Sequence, residues 1–482
     1  MDTSPIRTEV NSDSNHAQMT KTNVLPKGVL KSILLMILAV IISVSLYSWL
    51  PYESNVSKGV ALLAFIGTLW LTEAIHITVT ALLVPIVAVL IGIEVDSANG
   101  LKALSTKDAL ITFADPIIFL LFGGFVLATA LHIQQLDKKI AMKLISLSKG
   151  HLGYAVFSIF GATAFLSMWI SNTATAAMML PLALGILTHL DPQKDRKTFV
   201  FILLGIAYSA SIGGLGTLVG SPPNAIVAAA LGYDFADWMK VGFPFMLILL
   251  PAMLFSLYLV LKPNLNQRIK FVDEDIPWTK NRILTIVIFI STALAWIFSK
   301  DVSQFLNISQ SDTWISITAA TLVMILGVAS WKQVSEHTEW GVLMLFGGGL
   351  ALSGILQDSG ASLALGNTIA ETFSSASAFT IIFVVTIFII ILTEFTSNTA
   401  SAALLVPIFA VISTQIGLPK EALVIVIGVG ASCAFMLPVA TPPNAIVFSA
   451  GYIKQSEMMQ VGMLLNILCI FIISIFCYVL FT

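Results

Sequence analysis

Two copies of a Ser-Asn-Thr tripeptide are the residues in this sequence best suited to chemistry. The first copy, 171–173, lies midway through a long apolar stretch at 151–190, and the second, 397–399, lies midway through another at 376–416. Polar groups are costly inside a membrane unless they are bonded or bind a ligand. N–H groups at a helix start bind anions, whereas carbonyl and hydroxyl oxygens suit a hard cation. The tripeptides therefore predict a site for a small anion and accompanying cations.

A second pair of motifs, Pro-Pro-Asn, interrupts two other apolar stretches, as SPPNAIV at 221–227 and TPPNAIV at 441–447. Each proline removes a backbone donor and breaks the helix. Broken backbone at membrane depth is tolerated only beside protein or a water-filled cavity. The groups predicted to face a ligand are the carbonyls of Gly220 and Ala440, the hydroxyls of Ser221 and Thr441, and the amides of Asn224 and Asn444.

These motifs belong to an internal repeat. Phe-Gly-Gly starts at positions 122 and 346, Ser-Asn-Thr at 171 and 397, and the Pro-Pro-Asn segment at 221 and 441, so the copies are 224, 226 and 220 residues apart. Inverted repeats with broken helices at the midplane are typical of secondary transporters. Two alternatives are structural: close helix packing for Phe-Gly-Gly, and a simple helix N-cap for each Ser-Asn-Thr. Packing suits the glycines best, but a cap does not readily explain two polar motifs in register.

Composition indicates a membrane protein. Of the 482 residues, 57% are hydrophobic and only 10% are charged, whereas soluble domains carry about 25% charged residues. The formal net charge of -2 and the lack of a basic, aromatic-rich patch exclude a nucleic-acid partner. The three cysteines lack zinc spacing, and no catalytic triad or nucleotide-binding loop occurs, so we expect neither an enzyme nor a cofactor beyond coupling ions.

Apolar stretches of about 20 residues predict an all-α polytopic membrane fold. Nine clear spans are predicted at 33–50, 59–75, 78–95, 116–133, 240–261, 283–299, 313–330, 339–356 and 459–481, with interrupted spans at 198–231 and 421–450. The stretches 151–190 and 376–416 are interpreted as re-entrant hairpins, because two full spans with a turn need more than about 40 residues. This gives about 11 spans and two hairpins; two full spans remain the alternative at 151–190.

Clusters of Lys and Arg mark the cytoplasmic loops. They predict a cytoplasmic N-terminus and an external C-terminus, with halves of inverted orientation. Charge is scarce near the motifs, since Glu394 is the only Lys, Arg or Glu within 376–416 and none lies within 152–190. A dianion would therefore meet neutral dipoles, and bound cations would supply the missing charge. Glu73 and His76 are interpreted as structural or interfacial residues.

The segments SMWISNTATAAMMLP, VGSPPNAI, TEFTSNTASAALLVP and ATPPNAI closely resemble the divalent anion/sodium symporters, the sodium-dicarboxylate transporters. The similarity covers nearly the whole chain except the N-terminal tail. It implies sodium-coupled uptake of dicarboxylates such as succinate, malate and fumarate. It also implies a homodimer in the cell membrane (the inner membrane of a Gram-negative cell), in which a transport domain moves like an elevator against a scaffold domain. Some members exchange anions without sodium or carry citrate or sulfate, and these alternatives stay open.

The resemblance also implies site residues. One sodium ion is expected among Ser167, Ser171, Asn172 and Gly220, and the other among Thr393, Thr396, Asn398 and Ala440. The expected substrate-binding residues are Asn172, Thr173, Ser221, Ser397, Asn398, Thr399, Thr441 and Pro442. Position 396 is Thr where close relatives have Ala; the change is silent if the backbone carbonyl is the ligand, but a hydroxyl can also join.

The resemblance and the span pattern together predict the domain organisation. The predicted parts are a cytoplasmic tail at 1–30, scaffold helices of the first repeat at 31–137, a first hairpin and broken helix of the transport domain at 151–262, a cytoplasmic loop at 263–282, scaffold helices of the second repeat at 283–357, and a second hairpin and broken helix of the transport domain at 376–482.

Overall fold

The computed structural model describes residues 27–97, 100–269, 276–373 and 376–482. Most of the predicted tail at 1–30 and part of the predicted loop at 263–282 lie outside these residues. The described chain is almost entirely helical, as the long apolar stretches predict.

The first half contains eleven α-helices and one two-stranded ribbon. Their bounds are α1 Lys27–Trp49, α2 Ser54–Thr72, α3 Ile77–Leu90, β1 Glu94–Ser97, β2 Gly100–Ala103, α4 Thr106–Leu110, α5 Pro116–Ile133, α6 Leu136–Ser146, α7 Leu152–Ser167, α8 Asn172–Leu187, α9 Arg196–Gly213, α10 Pro222–Leu231 and α11 Phe235–Leu261. Short 3₁₀ turns at Ile111–Ala114 and Gly214–Gly216 follow α4 and α9.

The second half contains the remaining eleven α-helices. Their bounds are α12 Lys280–Ile297, α13 Ser299–Leu306, α14 Ser311–Ile325, α15 Trp331–His337, α16 Trp340–Asp358, α17 Ala361–Phe373, α18 Ala378–Thr393, α19 Asn398–Gln415, α20 Lys420–Ala431, α21 Pro442–Ser449 and α22 Gln455–Phe481.

Nine helices of the described segments are long and apolar enough to cross a membrane, or ten if the strongly bent pair α17 and α18 counts as one span. The predicted total of about 11 spans is not reached by this measure and stays a prediction. The hairpin interpretation also stays a prediction, because α19 alone is long enough to cross, whereas α7 and α8 are shorter, with 16 residues each.

One predicted span is wrong in its second part. The stretch 78–95 does not continue as a helix, because α3 ends at Leu90 and Gly92 adopts a left-handed backbone with φ of 63°. Such a conformation favours glycine and ends a helix. Beyond it, β1 pairs antiparallel with β2, so the mainly α-helical chain also contains a small ribbon.

Two fully buried helices, α9 and α20, form the centre of the fold. Every residue of α9 from Thr198 to Gly213 and of α20 from Ala422 to Ala431 is buried. Helix α9 packs against α7, α8 and α11, and α20 packs against α18, α19 and α22. The short helix that follows each Pro-Pro motif packs on the other half, with α21 against α9 and α10 against α20. This exchange brings both broken helices into one region.

The Phe-Gly-Gly motifs allow close helix contact, as the packing interpretation predicts. A Cβ atom on Gly123 would lie 2.5 Å from the Ser316 Cβ on α14, and one on Gly348 would lie 2.5 Å from the Ala81 carbonyl oxygen on α3. Real Cβ atoms do not approach other heavy atoms so closely, so these contacts require glycine. The glycines therefore hold α5 against α14 and α16 against α3.

Candidate anion and cation site

Each Ser-Asn-Thr tripeptide lies at the break between two helices. Helix α8 starts at Asn172 and α19 at Asn398. The preceding serines are N-caps: the Ser171 hydroxyl accepts a hydrogen bond from the Ala174 N–H at 3.3 Å, and Ser397 accepts one from the Ala400 N–H at 3.4 Å. The cap interpretation is therefore correct as local geometry. It also places the positive end of each helix, with its unpaired N–H groups, at the tripeptide.

Both tripeptides line one cavity of about 610 Å³. This volume is in the range of small-molecule sites. The predicted site residues that line it are Ser171, Asn172, Thr173, Gly220, Ser221, Thr396, Ser397, Asn398, Thr399, Ala440, Thr441 and Pro442. No Lys or Arg is among its described lining residues. An anion in this cavity would meet hydroxyl, amide and backbone groups from both halves.

Ser167 lies behind the cavity wall rather than in it. Its buried hydroxyl oxygen is 2.6 Å from the Asn172 Oδ1 atom and 2.7 Å from the Ala210 carbonyl oxygen. One hydroxyl hydrogen can serve only one of these two acceptors. The three oxygens therefore form a cluster with surplus lone pairs, which is the environment that a hard cation prefers.

Gly220 brings further carbonyl oxygens to the same place. A Cβ atom at this position would lie 2.5 Å from the Gly214 carbonyl oxygen and 2.9 Å from that of Ser167. Only glycine allows the backbone at the break between α9 and α10 to approach these oxygens. The four residues predicted for the first cation, Ser167, Ser171, Asn172 and Gly220, thus lie in one oxygen-rich region.

The second half repeats the cluster. The buried Thr393 hydroxyl oxygen is 2.6 Å from the Asn398 Oδ1 atom and 2.8 Å from the Ala431 carbonyl oxygen. Thr393 and Asn398 each follow their first-half equivalents, Ser167 and Asn172, by 226 residues. The repeat recognised in the sequence is therefore also a repeat of oxygen contacts.

The Thr396 side chain does not add a cation ligand in this arrangement. Its hydroxyl donates to the Leu392 carbonyl at 3.0 Å and lies 2.7 Å from the Ser401 hydroxyl. The hydroxyl is thus engaged within the second hairpin, which leaves the backbone carbonyl as the available ligand at this position.

Asn224 and Asn444 do not line the cavity, so the prediction that their amides reach a ligand there is wrong. The Asn224 Nδ2 group donates to the carbonyls of Gly214 and Thr217 at 2.7 and 2.8 Å. The Asn444 Nδ2 group makes the equivalent bonds to Ala434 and Leu437 at 3.1 and 3.0 Å. Each side chain ties the loop before its Pro-Pro motif to the helix after it.

Several lining residues were not predicted from the sequence. Glu73 ends α2 and Glu339 precedes α16, so both carboxylates enter the cavity from helices outside the hairpins. The Glu339 carboxylate interacts with the Ser171 hydroxyl. The internal repeat held a signal for Glu339, since Asp115 stands 224 residues earlier and caps α5. No motif marks Glu73.

Ser211 is a further missed residue. It is buried in α9, lines the cavity, and its hydroxyl has no hydrogen-bond partner within the described segments. Phe395 and Val439 add apolar surface beside the second tripeptide and the second break.

Comparison with known proteins gives the family. The family described as CitMHS, citrate transporter, matches residues 67–422. A protein of Haemophilus influenzae named "Uncharacterized transporter" is 55% identical over 452 residues, which cover 92% of this chain and 96% of the relative. The sodium-dependent dicarboxylate transporter SdcS of Staphylococcus saprophyticus is 33% identical over 459 residues, which cover 88% and 86% of the two chains.

Two solved structures share the fold at low sequence identity. The YdaH transporter of Alcanivorax borkumensis superposes with a TM-score of 0.53 at 12% identity and covers 86% of this chain and 98% of its own. MtrF of Neisseria gonorrhoeae superposes with a TM-score of 0.52 at 14% identity and covers 95% and 96%. The matched family, the full-length relatives and the shared fold confirm the resemblance drawn from the motifs: the chain is a membrane transporter, not an enzyme, of the citrate transporter family to which the sodium-dependent dicarboxylate transporters are related.

Proposed function

We propose that this transporter is a sodium-coupled symporter that imports C4-dicarboxylates such as succinate, malate and fumarate. One observation carries the proposal: tripeptides from both halves line a single cavity, and an oxygen cluster lies behind each of them. The sodium dependence and the dicarboxylate printed in the names of the relatives support the choice of ions and substrate.

The electrostatics of the cavity favour coupled binding. The starts of α8 and α19 offer N–H groups to the two carboxylates of a dianion, but the described lining residues include no basic side chain. Two opposite unit charges about 4 Å apart attract by roughly 4 kcal/mol at an effective dielectric constant near 20. Sodium ions at the two oxygen clusters would supply this attraction. Binding of the anion and of sodium would then strengthen each other by the same factor.

The finer architecture forms part of the same proposal. The hairpins and broken helices of 151–262 and 376–482 would move as a transport domain against scaffold helices from 31–137 and 283–357. The mutual packing of α10 on α20 and of α21 on α9 supports joint movement of these parts. We further propose a homodimer in the cell membrane, with a cytoplasmic N-terminus and an external C-terminus.

Transport by reconstituted protein tests the proposal. Proteoliposomes with an inward sodium gradient are expected to accumulate radiolabelled succinate, and replacement of sodium by choline is expected to abolish accumulation. Succinate uptake that ignores the sodium gradient would refute the coupling. Counterflow against internal succinate without sodium would instead favour an exchanger, and single-channel conductance would favour a channel.

Citrate is the second candidate substrate, because the matched family is described as citrate transporter. Excess unlabelled succinate, citrate and sulfate should each be tested against labelled succinate uptake. The proposal expects competition by succinate, malate and fumarate and weak competition by citrate and sulfate. Stronger competition by citrate than by succinate would reassign the substrate.

A further inference from the structure

Glu394 is a buried carboxylate beside the second tripeptide, and it has no counterpart in the first half. Only 3% of its surface is exposed. Its Oε1 atom accepts hydrogen bonds from the N–H groups of Phe435 and Met436 at 2.8 and 2.9 Å, and its Oε2 atom accepts one from Leu437 at 3.2 Å. The equivalent residue, 226 positions earlier, is Met168.

The hydrogen bonds indicate that this carboxylate is ionised. A fourth partner, the Asn466 Nδ2 group, donates to Oε1 at 2.6 Å. All four partners are N–H donors, whereas a protonated carboxyl group would need an acceptor for its own hydrogen. No Lys or Arg of the described segments forms an ion pair with Glu394. A negative charge is therefore held inside the protein without a basic partner.

The position of this charge links it to the second oxygen cluster. Glu394 follows Thr393 directly, and the loop whose three N–H groups it binds runs on to Ala440, the predicted carbonyl ligand. Because these N–H groups turn towards the carboxylate, the loop is held in one conformation. In the first half the same junction is closed by neutral groups, since the Thr217 hydroxyl donates to the Met168 carbonyl.

We propose that Glu394 makes the cation site of the second half the tighter of the two and the first to fill. Its fixed charge is balanced by a sodium ion at Thr393, Asn398 and Ala440 before any anion binds. The first-half site lacks a fixed charge, so its sodium ion binds together with the dicarboxylate. This inference rests on the proposed function, and Glu394 acts in it as a positioning and charge-balancing residue.

Sodium binding to the purified full-length wild-type protein tests the order directly. Equilibrium binding of radiolabelled sodium is expected to show one ion per chain without succinate and a second ion when succinate is added. Two equivalent ions without succinate would overturn the inference while leaving the proposed function intact. No sodium binding under either condition would instead refute the proposed function.

A charge-neutral variant tests the role of Glu394 itself. Glu394→Gln preserves size but removes the charge, and we expect it to raise the sodium concentration for half-maximal thermal stabilisation, without succinate, by about tenfold or more. Glu394→Asp keeps the charge and should stay within about threefold of wild type despite its shorter reach. Glu336→Gln, an exposed change outside the cavity, is the matched control and should leave the value unchanged.

The same titration separates a structural role from an electrostatic one. A merely structural role would lower the unfolding temperature in choline chloride for both Glu394 variants and leave the half-maximal sodium concentration unaltered. That pattern, or equal sodium requirements for the Gln and Asp variants, would contradict the inference. If Glu394→Gln does not fold, the comparison of Glu394→Asp with wild type and the binding stoichiometry still decide the question.

Discussion

The two halves of the transporter present nearly the same polar atoms to the cavity but support them differently. Ser167 and Thr393 make equivalent contacts with an asparagine Oδ1 atom and a helix-end carbonyl. Behind these contacts, the first half has Met168 and a short 3₁₀ turn, whereas the second has Glu394 and a loop bound to its carboxylate. The repeat therefore preserves the geometry of the oxygens while the charge around them differs.

The largest expected effect comes from removing the asparagine of either tripeptide. Asn172→Ala and Asn398→Ala should each reduce succinate uptake by about a hundredfold or more, because each removes both a donor to the anion and an oxygen of the cation cluster. Uptake into proteoliposomes and size-exclusion chromatography would measure activity and folding. Asn266→Ala, an exposed asparagine outside the cavity, is the control. Wild-type uptake by either variant would remove that residue from the site.

The loop-tying asparagines should affect stability and do so unequally. Asn224→Ala and Asn444→Ala each leave two carbonyls without their side-chain partner, at a cost of about 2–4 kcal/mol. The first-half bonds are shorter, and Glu394 also holds the second-half loop. We therefore expect the lower unfolding temperature for Asn224→Ala in a thermal unfolding assay. An equal loss would indicate that Glu394 contributes little to the loop.

The buried hydroxyls should affect sodium more than folding. Ser167→Ala and Thr393→Val remove one oxygen from each cluster, and we expect about tenfold higher sodium requirements for succinate uptake. Titration of uptake with sodium at constant ionic strength would measure this. Under the proposed binding order, only Thr393→Val should also weaken stabilisation by sodium without succinate. Identical behaviour of the two variants in that second measurement would argue for equivalent cation sites.

The smallest effect is expected at position 396. Thr396→Ala should change the half-saturating sodium concentration by less than about twofold, because the hydroxyl is bonded within the hairpin and the backbone carbonyl is unaffected. The same sodium titration measures it, with Thr393→Val as the contrasting change on the same hairpin. A larger shift would make the Thr396 hydroxyl a cation ligand.

Much of this architecture could be predicted because it is written in local patterns. Hydropathy located the long helices, and the predicted span 116–133 coincides with α5. The equal spacing of repeated motifs predicted which polar residues would meet, and most of those residues line one cavity. These features depend on the order of residue types along the chain, so they survive without knowledge of long-range contacts.

Other features were decided only by the tertiary structure, because they depend on which atoms face each other across distant helices. Asn224 and Asn444 tie loops together instead of facing the cavity, and Glu73 and Glu339 enter it from helices that carry no motif. The ionised state inferred for Glu394 likewise depends on four donors that lie 41 to 72 residues further along the chain. Sequence alone determined that two similar halves carry polar breaks in apolar helices; packing of each half on the other decided which atoms face the cavity and where a fixed charge stands behind them.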